Sequence, residues 1–362
     1  MPCHKKSDLN LNHQLIGNDM KKHRSPRHKV ITRIVSIAAL FIFTVLVPGT
    51  FGVEQPQLEA KSIEPGEHLC TLKVGDLNRH YIVHLPPKYD GISSFPAVII
   101  FHGGGGTARG MMLESSWLQK ADGKNFLAVF PDATPPDTTK PSRFMQNGQV
   151  WNDGSGRFHA GQKDIPDVAF INAVLDELIA RFKVNRRRIY ATGFSNGASM
   201  TFRVGIELSA RIAAIAPVAG ALWIKQPKID QPVSLYYITG AADPLNPLEG
   251  GVPKFATGST LRGLSSRRKP AVRENVVVWS RLLDCQSEPR VISAVPGVTT
   301  EVYSGGRDGS EVRFTVIKDH GHIWPGGRNR LPESLVGQAS DKFKATDAIW
   351  EFFEKHTLPK RE

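Results

Sequence analysis

The chain has 362 residues, 40% hydrophobic and 22% charged, which excludes a disordered protein and supplies a large core without metal or disulfide staples. Three cysteines exclude a disulfide-dense scaffold, and no C-x-x-C pair points to a zinc ribbon. The net charge is +12, but residues 1–33 carry +6 of it, so the remainder is mildly basic and no nucleic-acid partner is expected.

Residues 1–33 are polar and basic, Ile34–Val47 is an unbroken run of 14 apolar or small residues, and Pro48-Gly49 ends it. With Thr50 and Gly52 at a small-residue cleavage site, residues 1–52 read as a secretory leader, and the protein as secreted or periplasmic. A membrane anchor over residues 34–53 is the alternative, although the run is short against the ~20 residues of a span. In an oxidising compartment Cys70 and Cys285 either bridge or stay as two buried thiols, and both remain open. Residues 53–66 form a polar, Pro-containing linker, and 67–362 the folded domain.

Cys70–Val74 and His80–Leu85 read as strands split by a turn at Gly75-Asp76. The apolar runs Pro96–His102 and Phe126–Phe130 read as buried parallel strands on either side of a helix over 111–121. A long irregular stretch from Pro131 to Lys163 contains Trp151, and loops of such length usually carry function. In Asp164–Phe182, Val168, Ile171, Leu175, Leu178 and Phe182 share one face at helical spacing. Strands follow at Arg188–Thr192, Ile212–Val218, Val233–Ile238 and Val312–Ile317. Helices are expected at Ser195–Leu208, Val272–Leu283 and Asp341–His356. This alternation predicts an α/β fold with a mostly parallel sheet flanked by helices. Pro244–Pro270 has no periodicity and reads as an insertion or lid.

Gly193-Phe194-Ser195-Asn196-Gly197 follows an apolar strand and opens a helix, the context of a nucleophile elbow that exposes Ser195 Oγ. His102-Gly103-Gly104-Gly105-Gly106 ends another strand without the G-K-[ST] of a phosphate loop, so its backbone suits an oxyanion. The expected donors are the N–H groups of Asn196 and Gly104, with Gly105 as alternative, and His102 orders the loop. Asp243 follows a strand and suits the acid. His320 and His322 compete for the base, and the Gly before and Trp-Pro turn after His322 favour it. A metal pair of the two histidines has no supporting carboxylate cluster. Trp151 and Trp324 are candidate walls for an acyl or aromatic group. The charge runs Arg186–Arg188 and Arg267–Lys269 read as solvated faces. A serine peptidase and a non-catalytic surface binder are the rival classes.

The segments YIVHLPPKY, PAVIIFHGGGGTARGM, DIPDVAFINAVLDEL, RIYATGFSNGASMTFRV, TGAADPLNP, VRENVVVWSRLLDC and HGHIWPGG occur in that order. Together they resemble the polyhydroxybutyrate-depolymerase/feruloyl-esterase-like family of secreted α/β-hydrolases, over about residues 68–356. The resemblance implies an α/β-hydrolase fold and cofactor-free Ser-His-Asp hydrolysis of carboxylic esters: polyester oligomers, or feruloylated or acetylated polysaccharides. The family's G-H-T-W-P-G stands here as G-H-I-W-P-G, which aligns His322 with the base. Where the family often pairs two Asp, this chain has Pro166-Asp167, so Asp167 is expected to cap or brace its helix.

Overall fold

In the computed structural model, residues 63–144, 146–253 and 268–360 are described. The leader, the anchor alternative, residues 53–62 of the linker and residues 254–267 of the insertion lie outside them.

Ten strands form one sheet: β1 (Gly66–Val74), β2 (Leu77–Leu85), β3 (Phe95–Phe101), β4 (Leu127–Pro131), β5 (Val184–Phe194), β6 (Ala214–Val218), β7 (Ser234–Gly240), β8 (Arg290–Val295), β9 (Val298–Tyr303) and β10 (Val312–Ile317). Their order is β1-β2-β4-β3-β5-β6-β7-β10-β9-β8. From β4 to β10 every neighbouring pair is parallel, and antiparallel strands close both edges. Parallel strands covered on both faces need apolar residues at every position, and β3, β4, β6 and β7 are buried throughout.

The helices are α1 (Ala108–Glu114), α2 (Trp117–Lys124), α3 (His159–Gln162), α4 (Asp167–Arg181), α5 (Asn196–Glu207), α6 (Val272–Leu282), α7 (Glu333–Val336) and α8 (Ala345–Phe353). One core layer packs Phe170, Val174 and Leu178 of α4, Phe202 of α5 and Trp279 of α6 on Ile99, Phe101 and Leu235. The other packs Met111, Trp117, Ile349 and Phe353 from α1, α2 and α8 on Val98, Ile100 and Tyr190. Successive residues of β3 thus feed opposite cores, as strand periodicity requires. Stacking of Phe126 on Trp350 at 4.1 Å and of Tyr190 on Phe353 at 4.7 Å docks α8.

Two sequence expectations change, and one left open closes. The helix over 111–121 is two helices, because Ser116 adopts the left-handed conformation (φ 58°) between them. The β8–β9 hairpin is an addition, since all six residues of β8 are exposed and leave no burial pattern to read. Cys70 and Cys285 are free thiols. Cys70 lies in edge strand β1, while the Cys285 sulfur packs near Gly306, just past β9. Across the sheet that is on the order of 30–40 Å of strand spacings, beyond the ~7 Å a disulfide spans between Cα atoms.

Candidate active site

Ser195 sits between β5 and α5 at φ 56° and ψ −117°. A non-glycine residue there costs about 1–3 kcal/mol of strain and persists only where its surroundings hold it. Here Ser195 N–H donates to Val218 O of β6 at 2.9 Å, and α5 packs so close to β3 that a Cβ on Gly197 would lie 2.4 Å from His102 O. The side chain remains partly exposed at the carboxyl end of the sheet.

Asp243 and His322 follow β7 and β10, which are parallel neighbours, so their carboxyl ends meet. His322 Nδ1–H donates to Asp243 Oδ2 at 2.7 Å, and both side chains are buried. Asp243 Oδ1 accepts the N–H groups of Leu245 at 2.8 Å and Asn246 at 2.7 Å. Burial pushes the Asp243 carboxyl up, but His322, Lys269 and the Leu245 N–H outweigh it and hold it below the ordinary range. The His322 ring lies 4.7 Å from that of Phe194, the residue before the serine. Among the described residues no hydrogen bond joins Ser195 Oγ to His322, a contact that commonly tightens only around substrate.

His320 is placed differently. Its Nε2 bonds Ile323 O at 2.9 Å and its Nδ1 accepts Ser340 N–H at 3.0 Å, so both ring nitrogens serve the backbone. Burial lowers its pKa and keeps it neutral. His320→Ala is therefore expected to retain most of the esterase turnover while lowering thermal stability. A loss of kcat equal to that of His322→Ala would make His320 the base. Among the described residues no group of three metal-ligating side chains gathers.

The glycine loop approaches the elbow closely: a Cβ on Gly104 would stand 3.6 Å from Asn196 Cβ. Gly105 N–H already donates to Gln149 O at 2.7 Å, which removes it as an oxyanion donor. Asn196 opens α5, where the helix dipole favours negative charge. Its side chain fixes it further, accepting Trp151 N–H at 2.8 Å and donating to Asp153 Oδ2 at 2.9 Å. His102 bonds Gly103 O through Nδ1 and accepts Ala133 N–H at Nε2, which orders the loop.

Trp151 is a correction. Its side chain is fully buried, its Nε1–H donates to His102 O at 3.0 Å, and its ring meets Phe101 edge-on. It props the glycine loop from within and walls no substrate site. Trp324 differs: with Phe144, Phe194, His322 and the glycine loop it lines a cavity of about 420 Å³, rimmed by Arg328 and Arg330. Asp167 braces, as expected, but reaches beyond its helix: it pairs with Arg79 at 2.7 Å and accepts Asn152 N–H at 2.7 Å. The run ending at Lys269 is a second correction. Arg268 is exposed, yet Lys269 is buried on Asn246. Arg187 is half-buried, its Nε–H donating to Leu358 O at 2.6 Å. Asp153, Asn246 and Lys269 carry no sequence signal, because each acts through a partner distant in the chain.

The model of the phospholipase/carboxylesterase family matches residues 93–249, which span the glycine loop, Ser195 and Asp243. The match and the sheet topology support an esterase-like α/β-hydrolase, and the chain is a carboxylic-ester hydrolase. It is 25% identical to NocK of Nocardia uniformis subsp. tsuyamanensis, a protein whose name proposes an esterase, over 77% of this chain and 80% of that one. It is 26% identical to feruloyl esterase B of Piromyces equi over 69% of this chain, spanning 44% of that larger protein. Superposition on the acetyl xylan esterase of Aspergillus awamori gives a TM-score of 0.49 at 15% identity, covering 71% of this chain and 94% of that one.

Proposed function

We propose that this hydrolase is an exported serine esterase acting on acyl-decorated polysaccharides, with Ser195, His322 and Asp243 as its triad. The observation that carries the reading is the Asp243–His322 pair at 2.7 Å beside the strained turn that holds Ser195. With Nδ1–H given to Asp243, the Nε2 lone pair is left to take the Ser195 proton as Oγ attacks the ester carbonyl. The oxyanion is received by the N–H groups of Gly104 and Asn196. The resulting imidazolium, steadied by Asp243, protonates the leaving alcohol, and water repeats the sequence on the acyl-enzyme. No step calls for a metal or cofactor.

The aromatic walls of the cavity beside His322 favour an arylacyl group of the feruloyl kind over acetyl or hydroxybutyrate, in keeping with the names of several relatives. Turnover of feruloylated, acetylated and hydroxybutyrate oligomers side by side tests this; a preference for hydroxybutyrate would replace it with a polyester substrate. Export is supported by the basic and apolar pattern of residues 1–52. It is tested by the amino terminus of the mature protein, expected near residue 53. An intact terminus on membrane-bound protein would favour the anchor over residues 34–53. No described helix is long and apolar enough to cross a membrane.

Hydrolysis of a soluble ester is expected to survive exhaustive EDTA and to stop with a serine-directed phosphonate. Loss on chelation with recovery on Zn²⁺ would replace the serine mechanism. Asp243, with its lowered pKa, is ionised well below neutrality, so kcat/KM should fall with pH through a single protonation in the free enzyme. An anilide of the same acyl group should be cleaved far more slowly, which separates esterase from peptidase.

A further inference from the structure

Lys269 is a buried cation, 8% exposed, that touches none of the groups in the chemistry above. Its backbone N–H and C=O both pair with Gly251 at 2.9 Å, which pins the chain where it returns from the 244–270 segment. Its Nζ donates to Asn246 Oδ1 at 2.9 Å. Asn246, itself buried, gives its Nδ2 protons to Tyr237 OH at 3.1 Å and Thr239 Oγ1 at 3.3 Å, and its backbone N–H to Asp243 Oδ1. With the amide committed in this sense, Oδ1 needs a donor, and among the described residues Lys269 supplies it. A side-chain relay therefore runs from the end of the insertion to the carboxylate that holds His322.

An ammonium is costly to bury, and an apolar residue would pin the segment at lower cost. Burial and Arg157 push the Lys269 pKa down to about 7, against the pull of Asp243 and Asp153. Lys225, Glu249, Arg268 and Glu274 share the cavity that Lys269 floors, and all four are exposed. Tyr237, the remaining titratable neighbour, stays neutral because burial raises its pKa.

We propose that Lys269 is a positioning residue of the ester-hydrolysis site: through Asn246 it fixes the turn bearing Asp243, and its charge faces that carboxylate. The proposal rests on the triad reading above.

The test uses the full chain and p-nitrophenyl acetate, with kcat, KM, the pH profile of kcat/KM and thermal unfolding measured together. Lys269→Met keeps the stem and removes the charge. It should lower kcat about tenfold, the scale of a slightly misplaced group, and leave KM within about twofold. It should also move the acid limb of kcat/KM upward by on the order of half a pH unit, because the cation that faces Asp243 is gone. Lys269→Arg should return the limb toward its original position, and Lys225→Met, on the cavity rim, should move nothing. Should Lys269→Met fail to fold, Asn246→Asp keeps the lysine contact and adds a negative charge, and should also raise the limb. A folded Lys269→Met enzyme with unchanged kcat and limb, even if less heat-stable, overturns the proposal. Wild-type turnover by Asp243→Asn would instead overturn the triad reading, and the proposal with it.

Discussion

Ser195→Ala is expected to lower kcat for a soluble carboxylic ester by on the order of 10⁶-fold, as is His322→Ala, while Asp243→Ala costs about 10⁴-fold. The ranking follows from the geometry. Without Ser195 Oγ there is no acyl-enzyme, and without His322 nothing takes its proton. Without Asp243 the imidazole survives but loses the acceptor 2.7 Å from Nδ1, and with it the tautomer that leaves Nε2 free. Residual turnover in each variant comes from the backbone donors of Gly104 and Asn196 and from substrate binding. Steady-state kinetics on protein with unchanged circular dichroism reads the effect. Wild-type hydrolysis by Ser195→Ala would remove the elbow from the chemistry. Asp243 also links activity to stability. Its folded pKa is lowered, so its contribution is present above the ordinary carboxylate pKa and is lost as pH falls through the folded one.

What was legible in the chain followed from local rules. The buried strands are continuous apolar runs, α4 repeats at helical spacing, and the elbow glycines answer to a turn that admits no side chain, as the 2.4 Å approach at Gly197 illustrates. Asp243 and His322 could be placed because each follows a parallel strand, and parallel strands bring their carboxyl ends together. Three features escaped because no local pattern marks them. Trp151 lies in an irregular loop, where nothing local distinguishes a residue facing substrate from one turned inward to His102 O. Strand β8 carries no burial alternation. Lys269 belongs to a basic run whose neighbour Arg268 is solvated. Only the pairing with Gly251 and the orphan carbonyl of Asn246 turn it inward.

Arg79→Met is expected to destabilise the fold by about 3–5 kcal/mol, the cost of leaving a buried charge unpaired. Arg79 is 3% exposed and Asp167 fully buried, and their contact at 2.7 Å joins β2 to the first turn of α4. The guanidinium also donates to Asp132 O at 3.1 Å and lies 4.1 Å from the ring centre of Phe170, so hydrogen bond, ion pair and cation–π contact are lost together. Burial already pushes the Asp167 carboxyl up against the pull of Arg79, and without the arginine it rises further. A carboxyl whose folded pKa exceeds its unfolded one loses stability as pH rises between the two. The gap between Arg79→Met and wild type should therefore be smallest near pH 4 and widest near pH 8. Adding Asp167→Asn removes the stranded charge and keeps an acceptor for Asn152 N–H, so the double variant should recover much of the loss and flatten the pH dependence. Urea unfolding of the three proteins at the two pH values measures all of this. A loss below about 1 kcal/mol at pH 8, the range of an exposed ion pair, would show that the Arg79–Asp167 pair does not brace the loop behind Asn196.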